Sequence, residues 1–104
     1  MITTTADTIN GMNIVQEFGV VTGNTVRSKH VGRDIMAGLK TIVGGEVKGY
    51  TEMLTEARGE AFERLKQSAS AMGANAVINV RFTTSAVAAG MSEMLAYGTA
   101  VRAE

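Results

Sequence analysis

Two hydrophobic patterns organise this chain, an alternation with a period of two and a recurrence with the helical period of about 3.6. The alternation is clearest over residues 74–82. Its apolar side carries Ala74, Ala76, Ile78, Val80 and Phe82. Asn79 and Arg81 lie on the other side, together with Asn75 and Val77. We predict a strand whose apolar side packs against a helical layer, and whose Arg81 side faces solvent, a second subunit or a ligand.

The helical period is strongest over residues 51–72, which predict a long helix lying on the sheet. Its apolar stripe follows Tyr50, just ahead of the helix, and consists of Leu54, Ala57, Ala61, Leu65, Ser68 and Met72. The opposite side is acidic, with Glu52, Glu56 and Glu63. Gly73 follows as the expected left-handed residue that ends the helix.

The remaining elements are read from β-branched runs and glycines. We predict a short strand over 2–5, a strand over 13–26 bent or bulged at glycine, a helix over 34–43 that begins at Asp34, and a strand over 94–102 after a turn near 89–92. The order β, α, α, β, β indicates an α+β fold, with two helices on one face of an antiparallel sheet. Ala96, Gly98 and Ala100 form a row of small residues on which we expect Ala57 and Ala61 to pack.

Composition narrows the functional classes. The chain has 104 residues, which suits a single domain over 1–104. Ten basic residues balance ten acidic ones, and there is no Trp, so nucleic acid is not an expected partner. The absence of Cys excludes disulfides, thiolate nucleophiles and Cys-based zinc sites. With no signal peptide and no apolar run near 18 residues, we expect a cytoplasmic protein without a membrane partner.

Four residues are candidate ligands for a divalent metal ion. His30 stands four residues before Asp34, but two ligands fall short of the four that a stable site needs. Glu52 and Glu56 continue to Glu60 at a four-residue spacing, where neighbouring like charges repel, and a cation could relieve that repulsion. The alternatives are a loop histidine and a solvated acidic face. A ring of subunits could multiply the ligands at its axis.

Five cationic residues are candidates for an anion site or an interface. Arg27, Lys29 and Arg33 precede the N-terminus of the predicted helix over 34–43, where an anion is favoured; a solvated or intersubunit loop is the alternative. Arg58 projects about 40° from the centre of the apolar stripe. Its head could reach water, pair with a carboxylate of this or another subunit, or bind an anion. Arg81 is the fifth candidate.

Three segments resemble the YbjQ-like family. They are RDIMAGLKTIVGGEVKGYTEMLTEARGEAFERL (33–65), GANAVINVRF (73–82) and AYGTAV (96–101). The resemblance spans nearly the whole chain. It implies a dodecin-like α+β subunit that assembles with itself into a ring, a pentamer. The family carries the label "putative heavy-metal-binding" without an established biochemical function. The absence of Cys and the single His30 argue against that label for this chain.

The function that we expect is a non-enzymatic cytoplasmic homo-oligomer that binds a metal ion or a small ligand at subunit interfaces. The alternative is a structural or interaction scaffold without a ligand. An enzyme is the third class. It would have to work with carboxylates or Lys, since the chain has one His and no Ser–His–Asp, Cys–His or HExxH arrangement.

Overall fold

The fold is a four-stranded sheet with a helix on one face, seen in a computed structural model that describes residues 1–28 and 48–104. In chain order the described elements are β1 (Ile2–Thr3), β2 (Ile14–Ser28), α1 (Lys48–Ala71), β3 (Ala76–Ala88) and β4 (Met91–Ala103). The sheet order is β1-β3-β4-β2. The α+β class is confirmed. The helix predicted over 34–43 lies outside the described residues.

The sheet is mixed, which corrects the expectation of an antiparallel sheet. β4 runs antiparallel to both β2 and β3, but β1 joins β3 in parallel through Ile2 opposite Ala76 and Thr3 opposite Val77. Residues between β1 and β2 then cross the face of the sheet opposite α1, where Ile9 and Met12 pack. Such a crossing lets β1 and β2 occupy the two edges of one sheet.

Helix α1 ends where the sequence predicts. Gly73 has a φ of 92°. Its N–H donates to the carbonyl of Ser70 at 3.0 Å, and the N–H of Ala74 donates to the carbonyl of Ala69 at 3.1 Å. These two bonds form a Schellman motif, which satisfies carbonyls that the last turn leaves free.

The buried stripe of α1 differs from the predicted one in its two ends. It consists of Met53, Ala57, Ala61, Leu65 and Ala69. Ser68 and Met72 are exposed instead. Each four-residue step advances the stripe by about 40° around the helix, so α1 crosses the sheet obliquely. The small row is confirmed at Ala96 and Ala100, which share one core with Ala57 and Ala61.

The bulge predicted at a glycine of β2 is confirmed at one of its two glycines. Gly19 has a φ of 103° at a shift in the pairing register, which marks a bulge. Gly23 lies directly beneath α1. A Cβ atom there would collide with backbone atoms of Ala61, Arg64 and Leu65. The helix therefore approaches the sheet as closely as it does because this position has no side chain.

A bulge in β3 corrects the predicted face of that strand. Asn79 has a φ of 55°, and the register with β4 shifts between Ile78 and Arg81. Before the bulge Val77 packs with the helix-side core; after it Val80 does so. Ala76 and Ile78 therefore belong to the opposite face, contrary to the strict alternation. Gly98 faces this bulge, since a Cβ atom there would lie 2.8 Å from the carbonyl oxygen of Ile78.

The two ends of the sheet are covered differently. At the closed end, which we define as residues 74–80 and 98–103, α1 covers one face and residues 4–13 cover the other. At the open end, residues 21–28 and 81–97, α1 covers one face. The opposite face leaves Val26 and Tyr97 exposed at 50% and 39%. The candidate side chains described next lie along this open end.

Candidate functional site: ion pairs between helix and strand edge

A cluster of charges joins the acidic side of α1 to the outer strand β2. Arg27 Nη1 lies 3.3 Å from Glu56 Oε2, and Arg27 Nη2 contacts Glu60 Oε2. Thr25 Oγ1 donates to Glu60 Oε1 at 3.0 Å. Successive side chains of β2 point to opposite faces of the sheet. Thr25 and Arg27 therefore point toward the helix, on the same face as Gly23. The four-residue spacing along α1 brings both glutamates to that side.

Arg64 completes the cluster from the next turn of α1. Its Nη2 lies 2.5 Å from Glu60 Oε1, and its Nη1 donates to the carbonyl of Asn24 at 2.7 Å. Glu60 thus accepts hydrogen bonds from Arg27 and from the Thr25 hydroxyl, and it forms an ion pair with Arg64. The hydrogen bond from Arg27, reinforced by the one from Thr25 and by the two positive charges, holds the pKa of Glu60 below its ordinary 4.5.

This geometry changes the interpretation of the glutamate series. The like charges of Glu56 and Glu60 are relieved by arginines of the same chain, with no added cation needed. Glu52 lies on the exposed side of α1. Across residues 1–28 and 48–104, no three His, Asp or Glu side chains come together as a metal site. The described residues of a single copy therefore supply no group of three such ligands. His30 and Asp34 lie outside the described residues.

The predicted cationic residues that the structure describes lie in different parts of the molecule. Arg27 belongs to the ion-pair cluster, while Lys29 and Arg33 lie outside the described residues. Arg81 Nη1 donates to the carbonyls of Thr5 and Val80 at 2.9 Å each, so it holds the N-terminal segment against β3. The structure does not bring Arg81 together with the Arg27 cluster.

Arg58 is exposed, which corrects its expected position beside the stripe. The oblique path of the stripe passes through Ala57 at this level, and Arg58 lies about 100° away around the helix. It is exposed, and no described residue pairs with it. It follows Leu54 and precedes Phe62 and Lys66 along one flank of α1. Phe62 packs against Phe82 of β3, with ring centroids 5.8 Å apart, and carries Lys66 over its ring.

Sequence reasoning did not connect Arg27 with Glu60. The two are 33 positions apart, and Arg27 reads as the first member of a basic run. The available signal was the alternation of Val21, Gly23, Thr25 and Arg27 along one strand. It places a cation on the helix side, where a row of glutamates passes.

No helix within residues 1–28 and 48–104 is long and apolar enough to cross a membrane.

Comparisons with known proteins agree over the full length. A family model described as "Putative heavy-metal-binding", YbjQ, matches residues 1–104. A UPF0145 protein of Hahella chejuensis is 66% identical over 101 residues, covering 97% of each chain. One from Vibrio parahaemolyticus is 60% identical and one from Thermosipho africanus 57%, each over 102 residues. Each covers 98% of this chain, and these residues make up 97% and 94% of the two relatives.

A solved structure shows the same fold at low sequence identity. A protein of unknown function from the DUF74 family of Pediococcus pentosaceus superposes with a TM-score of 0.64 at 18% identity. The match covers 100% of this chain and 98% of that one. At this identity the likeness concerns the fold alone. From the family match and the close relatives together, the chain belongs to the YbjQ family, whose curated relatives are named UPF0145 proteins.

Proposed function

We propose that the protein is a non-enzymatic, cytoplasmic homo-oligomer, a ring of dodecin-like subunits that closes as a pentamer. The observation that carries this proposal is the apolar surface of the isolated subunit. Val20, Val87 and Val26 are exposed at 77%, 54% and 50%. All three lie within β2 or β3, and an association that covers them would gain about 25 cal/mol for each Å² of apolar surface removed from water.

The thin core of the subunit supports the same conclusion. Its largest fully buried side chains are Leu65, Val77 and Val101, and most of its other members are alanines. A methyl side chain contributes little buried area compared with Leu or Phe, so the core that residues 1–28 and 48–104 form is thin. Burial between subunits adds to the stability of chains with small cores.

Ligand binding is the second part of the proposal. The family description supports a metal ion, whereas the described carboxylates at positions 56 and 60 are already paired with arginines. A metal site would therefore draw on His30, Asp34 or carboxylates from more than one copy. A small anion at Lys29 and Arg33 is the other ligand class. A scaffold without a ligand is the alternative function, and the neutralised glutamates favour it.

The mass of the wild-type protein tests the assembly. We expect light scattering after size exclusion to give about five times 10.9 kDa, independent of dilution over the micromolar range. A single species at the mass of one chain would sink the proposal.

Calorimetry tests the ligand. We expect zinc, copper, nickel or calcium to release heat with the wild type, and less heat with His30→Ala or Asp34→Ala. If none of the four metals binds, the metal version is discarded. A metabolite screen by thermal shift then decides between an anion and a scaffold, with Arg33→Ala as the control for any anion that stabilises the wild type.

A further inference from the structure

Among the described strands, β3 has a free edge at the open end of the sheet. The N–H of Val80 donates to the carbonyl of Thr4, so the backbone groups of Val80 point outward, toward β1. Successive residues of a strand alternate in this direction, so Phe82, Thr84 and Ala86 also present their N–H and C=O groups outward. β1 pairs with β3 only at Ala76 and Val77. No described strand meets the outward groups beyond them.

The other free edge belongs to β2, whose one partner among the described strands is β4. The carbonyl of Asn24 receives Arg64 from the side of the helix, which marks the outward side of the strand. Both register shifts of β2 lie between Ile14 and Gly19, and from Gly19 to Ser28 its pairing is regular. Bulges protect a sheet edge from pairing, whereas a regular edge is a template for another strand.

The two free edges lie at the same height along the sheet. Leu95 of β4 is opposite Asn24 on one side and Thr83 on the other. Because β2 and β3 are both antiparallel to β4, they run parallel to each other. A rotation about an axis along the strands therefore brings the β3 edge of one copy beside the β2 edge of the next, in parallel and without a shift in height. Two different edges that meet in this way form a heterologous contact, and such a contact generates a ring when the successive rotations add up to a full turn.

Both flanks of α1 carry charges: the flank toward β2 holds the cluster of Glu56 and Glu60 with Arg27 and Arg64, and the flank toward β3 carries cations. The flank toward β3 carries Arg58 and Lys66 beside Leu54 and Phe62. The flank toward β2 carries Glu56, whose side chain is 67% exposed. Each copy adds three strands at the open end, about 4.8 Å apart, so neighbouring helices lie about 14 Å from each other. That exceeds the 8–10 Å of direct helix packing, and long side chains are needed to span it. Phe82, 41% exposed, lies at the same gap.

From these observations, and resting on the proposed ring, we propose that the β3 edge of one copy adds to the β2 edge of the next. In this contact Arg58 of the first copy pairs with Glu56 of the second. The exposed Arg58 thereby obtains the carboxylate that its own chain does not offer among the described residues. Phe62 and Phe82 are covered by the neighbouring helix.

Charge reversal tests the pairing of Arg58 with Glu56. We expect Arg58→Glu and Glu56→Arg each to raise the concentration at half assembly by at least about tenfold, since like charges then face each other. The double variant is expected to recover most of the wild-type assembly. Arg102→Glu is the matched control: Arg102 is exposed on β4 at the closed end, so its reversal leaves the mass unchanged. Circular dichroism verifies that each variant is folded.

A proline tests the backbone edge. Thr84→Pro removes an outward N–H, which an edge strand tolerates, and we expect it to leave a folded monomer. Thr84→Ala keeps the N–H and is expected to stay assembled. A monomeric wild type would overturn the proposed function itself. An oligomeric wild type whose charge reversals and Thr84→Pro all keep the full mass would overturn this interface and leave the oligomer standing.

Discussion

The closed end and the open end of one sheet are built from the same strands by different means. At the closed end Val77 and Val101 are fully buried between α1 and the N-terminal segment. At the open end α1 covers one face, and ion pairs from Arg27 fasten it to the edge strand. Hydrophobic burial on both faces therefore secures the closed end. The open end combines burial on one face with ion pairs to the helix and, among the described strands, with free edges that suit association.

The largest effect is expected where the helix touches the strand. Gly23→Ala places a methyl group against the backbone of α1, which cannot yield as a side chain would. We expect a loss of about 3 kcal/mol in the free energy of unfolding, measured with urea. Gly59→Ala is the matched control. A Cβ atom at Gly59 has no atom within 4 Å, and alanine is the better helix former, so a gain of about 0.5–1 kcal/mol is expected. Equal effects of both variants would contradict the close contact.

The same substitution at both ends of β3 measures the difference between them. Val77→Ala removes two buried methyl groups and leaves a cavity, so we expect a loss of about 2–3 kcal/mol. Val87 is 54% exposed, and Val87→Ala is expected to cost less than about 0.5 kcal/mol in the unassembled chain. Urea unfolding of both variants in the Arg58→Glu background separates stability from assembly. Similar losses at the two positions would show that the open end is packed as well as the closed end.

The bulge at Asn79 lies between the two ends, and the next pair of variants tests its backbone conformation. Asn79→Ala keeps a positive φ that alanine adopts poorly, and we expect it to cost about 1 kcal/mol in urea unfolding. Asn79→Gly is expected to cost less, because glycine adopts this conformation freely. A glycine variant less stable than the alanine variant would argue that the side chain of Asn79, rather than its backbone, is what matters.

Local pattern predicts much of this fold, and long-range pairing sets the rest. The period of 3.6 and Gly73 predict α1 and its end, because both signals lie within one element. The bulge at Asn79 is hidden by an alternation that looks uninterrupted from 74 to 82. The sequence carries one sign of the bulge: Val77 is apolar although it lies on the polar side of that pattern. The pairing of Arg27 with Glu60 depends on how β2 meets α1, which no local pattern specifies.

The smallest effect concerns the charged fastening at the open end, and it depends on pH. The pKa of Glu60 is lower in the folded chain than its ordinary 4.5, so the folded state prefers the charged form. The stability that this provides is present above pH 4.5 and is lost as the pH falls through the lowered folded-state value. Glu60→Gln removes the titrating group. Thermal unfolding is therefore expected to show a lower melting temperature than wild type at pH 7, and a difference that shrinks toward pH 3.

Glu63→Gln is the control for that experiment. Glu63 lies on the same helix and pairs with Lys66 at 2.7 Å, but it touches neither β2 nor the arginines that surround Glu60. Its removal is expected to leave the acid dependence of the melting temperature close to that of the wild type. If Glu60→Gln instead follows the wild-type curve from pH 7 to pH 3, the ion pairs do not fasten α1 to β2. The attachment of the helix at the open end would then rest on the contact at Gly23 and on the packing of Phe62 against Phe82.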